Sequence, residues 1–114
     1  MGPIAKDEVQ KAIERFIGKD VYLHLETTNG AYAARQGAMA VCAYIRNGKV
    51  QFHRGLITGD GPYRVGLKMD NGWIYAEGLT DYEIDEQGRL LLAGHDTEGR
   101  LAVALELSEQ PFPM

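Results

Sequence analysis

GPYRVGLKMDNGWIYAEGL, residues Gly61 to Leu79, decides the reading of this chain. Apolar and polar residues alternate on both sides of Asp70-Asn71-Gly72, the pattern of two half-buried strands joined by a tight turn. With Asn71-Gly72 as a two-residue loop, Asp70 faces Trp73, Met69 faces Ile74, Lys68 faces Tyr75, Leu67 faces Ala76 and Gly66 faces Glu77. Tyr63, Val65, Leu67, Met69, Ile74 and Ala76 then make an inner face. Arg64, Lys68, Trp73, Tyr75 and Glu77 make an outer one. A one-residue slip would bury Glu77 and Tyr75 among Val65, Leu67 and Met69, and an unpaired buried carboxylate costs several kcal/mol or neutralises itself. The clean separation of faces is therefore the expected register.

The same period runs outward from this hairpin. VYLHLETT, AYAAR, MAVCAYIR, KVQFHRGLIT, YRVGLKM, WIYAEGL, YEID, RLLLAGH and RLAVALELS read as short strands. Asn29-Gly30, Asn47-Gly48, Asn71-Gly72, Gln87-Gly88 and Glu98-Gly99 punctuate them as turns. Short connections force antiparallel neighbours, so the expected fold is a mainly β antiparallel meander. It should close into a small β-barrel or fold into a two-layer sheet, because a long open sheet leaves exposed edges.

One helix precedes the strands, over about residues 7–17. Val9, Ala12, Ile13, Phe16 and Ile17 share one face at helical spacing, and Gly18 is the stop. Asp7 and Gln10 suggest a capping box. The whole chain, residues 1–114, is expected to form one barrel-like domain, with strands from about residue 20 to 108.

Composition narrows the function classes. With 114 residues and a formal net charge of −4, the chain lacks the clustered cations that a phosphate backbone requires, which argues against nucleic acid. Cys42 is the only cysteine, so no internal disulfide is available and an oxidising compartment is not implied. MGPIAKDEVQ is no secretory signal and no apolar run is long enough to span a bilayer, so the expected location is the cytoplasm, away from membranes.

Few catalytic patterns are present. His24 and Glu26 point the same way on a strand and are the candidate metal pair, although no HExxH or CxxC spacing supplies further ligands. His53 and His95 lie on other segments. An Asn47-Gly48 hairpin would set Ile45 opposite Val50 and Cys42 opposite His53. A thiolate beside an imidazole is a possible nucleophile, but MAVCAYI is apolar on both faces, so Cys42 is read as buried and inert. There is no GxSxG elbow or Walker loop, and Gly59-Asp60-Gly61 is a turn rather than a phosphate cradle. Asp81, Glu83, Asp85 and Glu86 read as an acidic, solubilising edge. No catalytic residue and no cofactor is expected. The candidate ligand- or partner-binding residues are Arg64, Lys68, Trp73, Tyr75 and Glu77, a polar aromatic face of the kind found at interfaces and in shallow sites.

VYLHLETTNGAY, AYIRNGKV, GPYRVGLK and GWIYAEGLT together resemble the YojF-like family of small proteins from Bacillus-type bacteria, over Asp7 to Phe112. The resemblance implies a β-barrel-like fold with an N-terminal helix and no established site residues. It also implies a chromosomal neighbourhood with a deacetylase of bacillithiol synthesis. Residues and resemblance together lead to a non-enzymatic protein that binds itself as a homodimer or binds a protein partner, such as that deacetylase. The alternative is a small-molecule binding barrel that uses the Trp73/Tyr75/Arg64/Glu77 face or the barrel mouth.

Overall fold

In the chain order of a computed structural model, which describes residues 1–28 and 42–114, nine strands and one α-helix follow one another. They are β1 (Gly2–Pro3), α1 (Lys6–Glu14), β2 (Val21–Thr28), β3 (Cys42–Val50), β4 (Arg54–Thr58), β5 (Tyr63–Met69), β6 (Gly72–Leu79), β7 (Asp81–Ile84), β8 (Leu90–His95) and β9 (Leu101–Ser108). Asn29-Gly30, AYAAR and the start of MAVCAYIR lie outside the described residues. All pairings are antiparallel. One sheet has six strands in the order β1-β7-β8-β9-β2-β3, and the other has three, β4-β5-β6. Of the two expected forms, the two-layer sheet is the one adopted: no ladder joins the sheets into a closed barrel among the described residues. Nor is any described helix long and apolar enough to cross a membrane.

The core lies between the layers. Val21, Leu23, Leu90, Leu92, Val103, Leu105 and Leu107 point in from the larger sheet, and Ile57, Val65, Leu67, Ala76 and Leu79 from the smaller. Val9, Ala12 and Ile13 bring in the apolar stripe of α1, and Phe16 joins them from the turn that follows it. The sheets meet at a corner where only Thr80 separates β6 from β7. There, a β-carbon on Gly94 would stand 2.0 Å from the Gly78 carbonyl oxygen, so only glycine fits.

The helix start differs from the expected capping box. Ala5 is the N-cap and no side chain caps it. Gln10 instead reaches across to strand β4: its Nε2 donates to the Gly55 carbonyl (2.9 Å) and its Oε1 accepts from the Ile57 N–H (3.0 Å). A side-chain amide thereby bonds two backbone groups on the open edge of β4 as a neighbouring strand would, which blunts that edge against pairing with another chain. The α-helix ends at Glu14, and turns follow to Gly18, which has φ 78° and donates to the Phe52 carbonyl.

Asn47-Gly48 departs further from expectation. Residues 42–50 form one continuous strand on β2, with Leu23 opposite Gly48 and Leu25 opposite Ile45. Arg46 and Asn47 together oppose His24, which makes a β-bulge with Asn47 at φ 57°. The left-handed tolerance that suggested a turn is used for a bulge. Ile45 therefore does not face Val50, and Cys42 lies opposite Thr28, not His53.

Candidate functional site

The decisive hairpin turns at Asp70-Asn71, one position earlier than expected: Met69 pairs with Gly72, Lys68 with Trp73, Leu67 with Ile74, Gly66 with Tyr75 and Val65 with Ala76. Both strands move together, so the partition into faces survives. Val65, Leu67 and Ala76 are buried, while Arg64, Trp73, Tyr75 and Glu77 are exposed on the outer face with Lys68. A bulge at Glu77-Gly78 then restores Leu79 to the core opposite Tyr63.

The five candidate residues come together. The Trp73 and Tyr75 rings stack at 5.4 Å, 7° from parallel. The Arg64 guanidinium lies 3.9 Å from the Tyr75 ring centre, and the Lys68 ammonium 5.3 Å from that of Trp73. Arg64 Nε also pairs with Glu77 Oε1 at 3.3 Å. Each ring thus carries a cation and a second ring, contacts worth on the order of 0.5–1 kcal/mol apiece at an exposed site. Gly66 makes the arrangement possible, because Tyr75 leans over the space that a side chain there would fill.

Strand β4 extends this face with residues that the sequence reading missed. Arg54 is opposite Lys68, Leu56 opposite Gly66 and Thr58 opposite Arg64. Leu56, Thr58, Arg64, Gly66, Trp73 and Tyr75 line a shallow depression of about 140 Å³. The face carries the cations Arg54, Arg64 and Lys68 and the carboxylate Glu77, on a chain of net charge −4.

The three histidines each meet their own partners. His53 Nδ1 is 3.8 Å from Asp70 and His95 Nδ1 is 3.3 Å from Asp81. The Thr80 hydroxyl, against a burial cost and with help from His95, holds the Asp81 carboxyl below its usual range. His24 and Glu26 share a face as expected, with Nε2 and Oε1 at 3.3 Å. Arg46, which donates from a guanidinium nitrogen 3.3 Å from His24 Nδ1, assigns the imidazole proton to Nε2, because a guanidinium cannot accept. Tyr44 meets the ring edge-on at 5.2 Å, and Arg46 pairs with Glu106 at 3.7 Å. Among the described residues no third His, Cys, Asp or Glu completes a metal-binding group with His24 and Glu26. Arg46, Tyr44 and Glu106 were not legible as neighbours of His24, since the bulge and the β2–β9 pairing place them there.

Cys42 is exposed, contrary to its expected burial. Among the described residues β3 has β2 as its only sheet partner, so Cys42, Ala43, Tyr44 and Ile45 are left accessible although they are mostly apolar. The acidic stretch 81–86 is also more engaged than a solubilising edge. Asp81 meets Thr80 and His95, Glu83 pairs with the amino terminus and Asp85 binds Arg89.

Fold and site define a small two-layer antiparallel β protein with one covering helix and an exposed aromatic–cationic face. The chain belongs to the DUF1806 family of proteins of unknown function, whose model matches residues 3–112. It is 55% identical over 114 residues to the uncharacterized protein YojF of Bacillus subtilis (strain 168), covering 98% of each chain. The crystal structure of Bacillus subtilis YojF matches it with a TM-score of 0.84 at 53% identity, over 98% of this chain and 96% of that one. The resemblance carried by the strand segments is therefore correct.

Proposed function

We propose that this chain is a non-enzymatic, cytoplasmic binding protein and that the outer face of β4-β5-β6 docks a protein partner. The observation that carries the reading is the preassembled series Arg64, Tyr75, Trp73 and Lys68. Held rings and cations lose little freedom on docking, and Trp, Tyr and Arg are the residue types that dominate interface energetics. A flat guest would have to displace a cation before it could stack on either ring. The cationic face on an acidic chain complements acidic protein surfaces, a second copy of this chain among them. A homodimer is therefore the first assembly to test, and the deacetylase implied by the family resemblance the second.

The test is native mass spectrometry and affinity capture with the wild type and Trp73→Ala. Loss of a central interface aromatic costs about 2 kcal/mol or more, roughly 30-fold in affinity. Dimer or complex should persist for the wild type and fall by that factor for the variant. A wild type that stays monomeric at high concentration and captures no partner would sink the proposal.

The alternative, a small-molecule site, has the Leu56–Gly66–Tyr75 depression in its favour. At about 140 Å³ it is below the roughly 300 Å³ at which drug-sized ligands become enclosed. Quenching of Trp73 fluorescence by a defined metabolite would favour this second reading over the first.

A further inference from the structure

The last residues of the chain, Glu109 to Met114, leave β9 and lie along the six-stranded sheet beside the Asn47 bulge. Phe112 is only 5% exposed, yet it is not part of the core cluster between the sheets. It occupies a seat of its own. The Asn47 side chain reads the Phe112 main chain twice: Oδ1 accepts from its N–H at 2.7 Å and Nδ2 donates to its carbonyl at 2.9 Å. Arg46 donates to the next carbonyl, that of Pro113, at 2.8 Å. The guanidinium groups of Arg46 and Arg89 lie 4.8 and 5.6 Å from the centre of the Phe112 ring. Glu109, Gln110 and Pro111, which connect this segment to the sheet, are all exposed.

These contacts recognise an extended aromatic–proline segment and do not depend on how it is tethered. Main-chain N–H and C=O groups supply affinity, and a seat for one ring supplies selectivity, which is how peptide-binding domains read their ligands. The receptor side is built to receive them. Asn47 is held in the left-handed region by the bulge, and Arg46 is positioned by His24 and Glu106. Arg89 is tied to Asp85 at 2.6 Å. We propose that the Arg46–Asn47–Arg89 seat is a peptide-binding site for an extended Phe-Pro segment of a partner protein, and that the chain's own C-terminus fills it as a displaceable plug. The seat lies on the other sheet from the aromatic–cationic face and does not rest on the docking proposal. A tether of a few residues gives the plug a millimolar effective concentration, so a free peptide competes poorly until the plug is weakened.

The experiment uses the full chain carrying Phe112→Ala, which empties the ring seat, and a fluorescent pentapeptide of sequence QPFPM followed by anisotropy. The variant should bind the peptide saturably and at least about tenfold more tightly than the wild type. A QPAPM peptide should not bind. Adding Asn47→Gly, which keeps the left-handed conformation but removes the amide, should abolish binding. Folded Phe112→Ala protein that shows no saturable binding, or binding indifferent to Asn47→Gly, overturns the proposal. Should Phe112→Ala fail to fold, hydrogen exchange of the wild-type Phe112 amide in excess QPFPM replaces it. Faster exchange supports displacement of the plug, and unchanged exchange at millimolar peptide rules it out.

Discussion

Gly66 lies directly beneath Tyr75: a β-carbon on Gly66 would stand 2.8 Å from Cε1 and 3.1 Å from Cδ1 of that ring. The outer face of the smaller sheet is organised by this missing side chain, which lets Tyr75 lean in against Trp73 and under Arg64. Gly66→Ala is expected to push Tyr75 away and break the series. The cost in stability should stay below about 1 kcal/mol, because an exposed ring can change rotamer. Near-ultraviolet circular dichroism of the only tryptophan, Trp73, should change while the urea midpoint barely moves. An unchanged Trp73 signal would show that Tyr75 is not held by this contact.

Gly94 faces a less forgiving neighbour. Its β-carbon would meet the Gly78 carbonyl oxygen at 2.0 Å and the Val103 side chain at 2.6 Å, and backbone cannot rotate out of the way. Gly94→Ala must separate the two sheets at their corner, so a loss of about 3 kcal/mol or more is expected, at the upper end for overpacking. Urea unfolding of Gly94→Ala beside Gly66→Ala checks it: the first should fall far below the second, and equal midpoints would contradict the corner geometry.

These two glycines mark what the sequence did and did not disclose. The faces of the Gly61–Leu79 hairpin were legible because Arg64, Lys68 and Glu77 alternate with apolar residues there, and moving the turn by one position, which shifts each cross-strand pairing by two residues, leaves each side chain on its side. That alternation also brought Arg64, Lys68, Trp73, Tyr75 and Glu77 to one surface. Arg54 and Leu56 were hidden, because nothing local to β4 says which strand it pairs with. Asn47-Gly48 misled because positive φ serves a bulge as well as a hairpin; the long partner strand β2 decides between them. Gln10 misled for a related reason, since its amide has tertiary partners on β4 that outcompete a local cap. A paired signal was overlooked: Asp85-Glu86-Gln87-Gly88-Arg89 and Asp96-Thr97-Glu98-Gly99-Arg100 share an Asp-X-X-Gly-Arg pattern. Both fold as the same turn, the Asp accepting from the Arg side chain and main chain and the Gly at positive φ.

Gln10→Ala tests whether the side-chain amide guards β4. Removing it leaves the Gly55 carbonyl and the Ile57 N–H without that partner. Each lost hydrogen bond contributes about 0.5–1.5 kcal/mol, so a destabilisation of about 1–3 kcal/mol is expected for the two. The more specific sign is local: exchange of the Ile57 amide should accelerate more than that of the β5 amides. Uniform acceleration throughout the smaller sheet would mean that Gln10 contributes to global stability only and does not seal the edge.

The twin turns predict how stability depends on pH. Burial works against the Asp85 carboxylate, but the Arg89 guanidinium and the main-chain N–H groups of Arg89 and Gln87 outweigh it and hold the group below its ordinary value of 3.8. In Asp96 the Arg100 main-chain N–H is the leading cause, opposed by burial and joined by the Glu98 N–H and the Arg100 side chain. A carboxyl whose value is lower in the folded state than in the unfolded one binds its proton less readily when folded. Its stabilisation is therefore complete above the unfolded value and lost as pH falls through the folded one. The wild type should accordingly lose stability progressively as pH falls below the ordinary carboxylate value of about 4. In Asp85→Asn/Asp96→Asn the amide oxygen still accepts from the turn's N–H groups but carries no charge. The double variant should start less stable at neutral pH and show a shallower acid decline. Thermal melts at closely spaced pH values decide the matter, and parallel curves for the two proteins would place the acid sensitivity elsewhere, with Asp20 and Asp81 the next carboxyls held low.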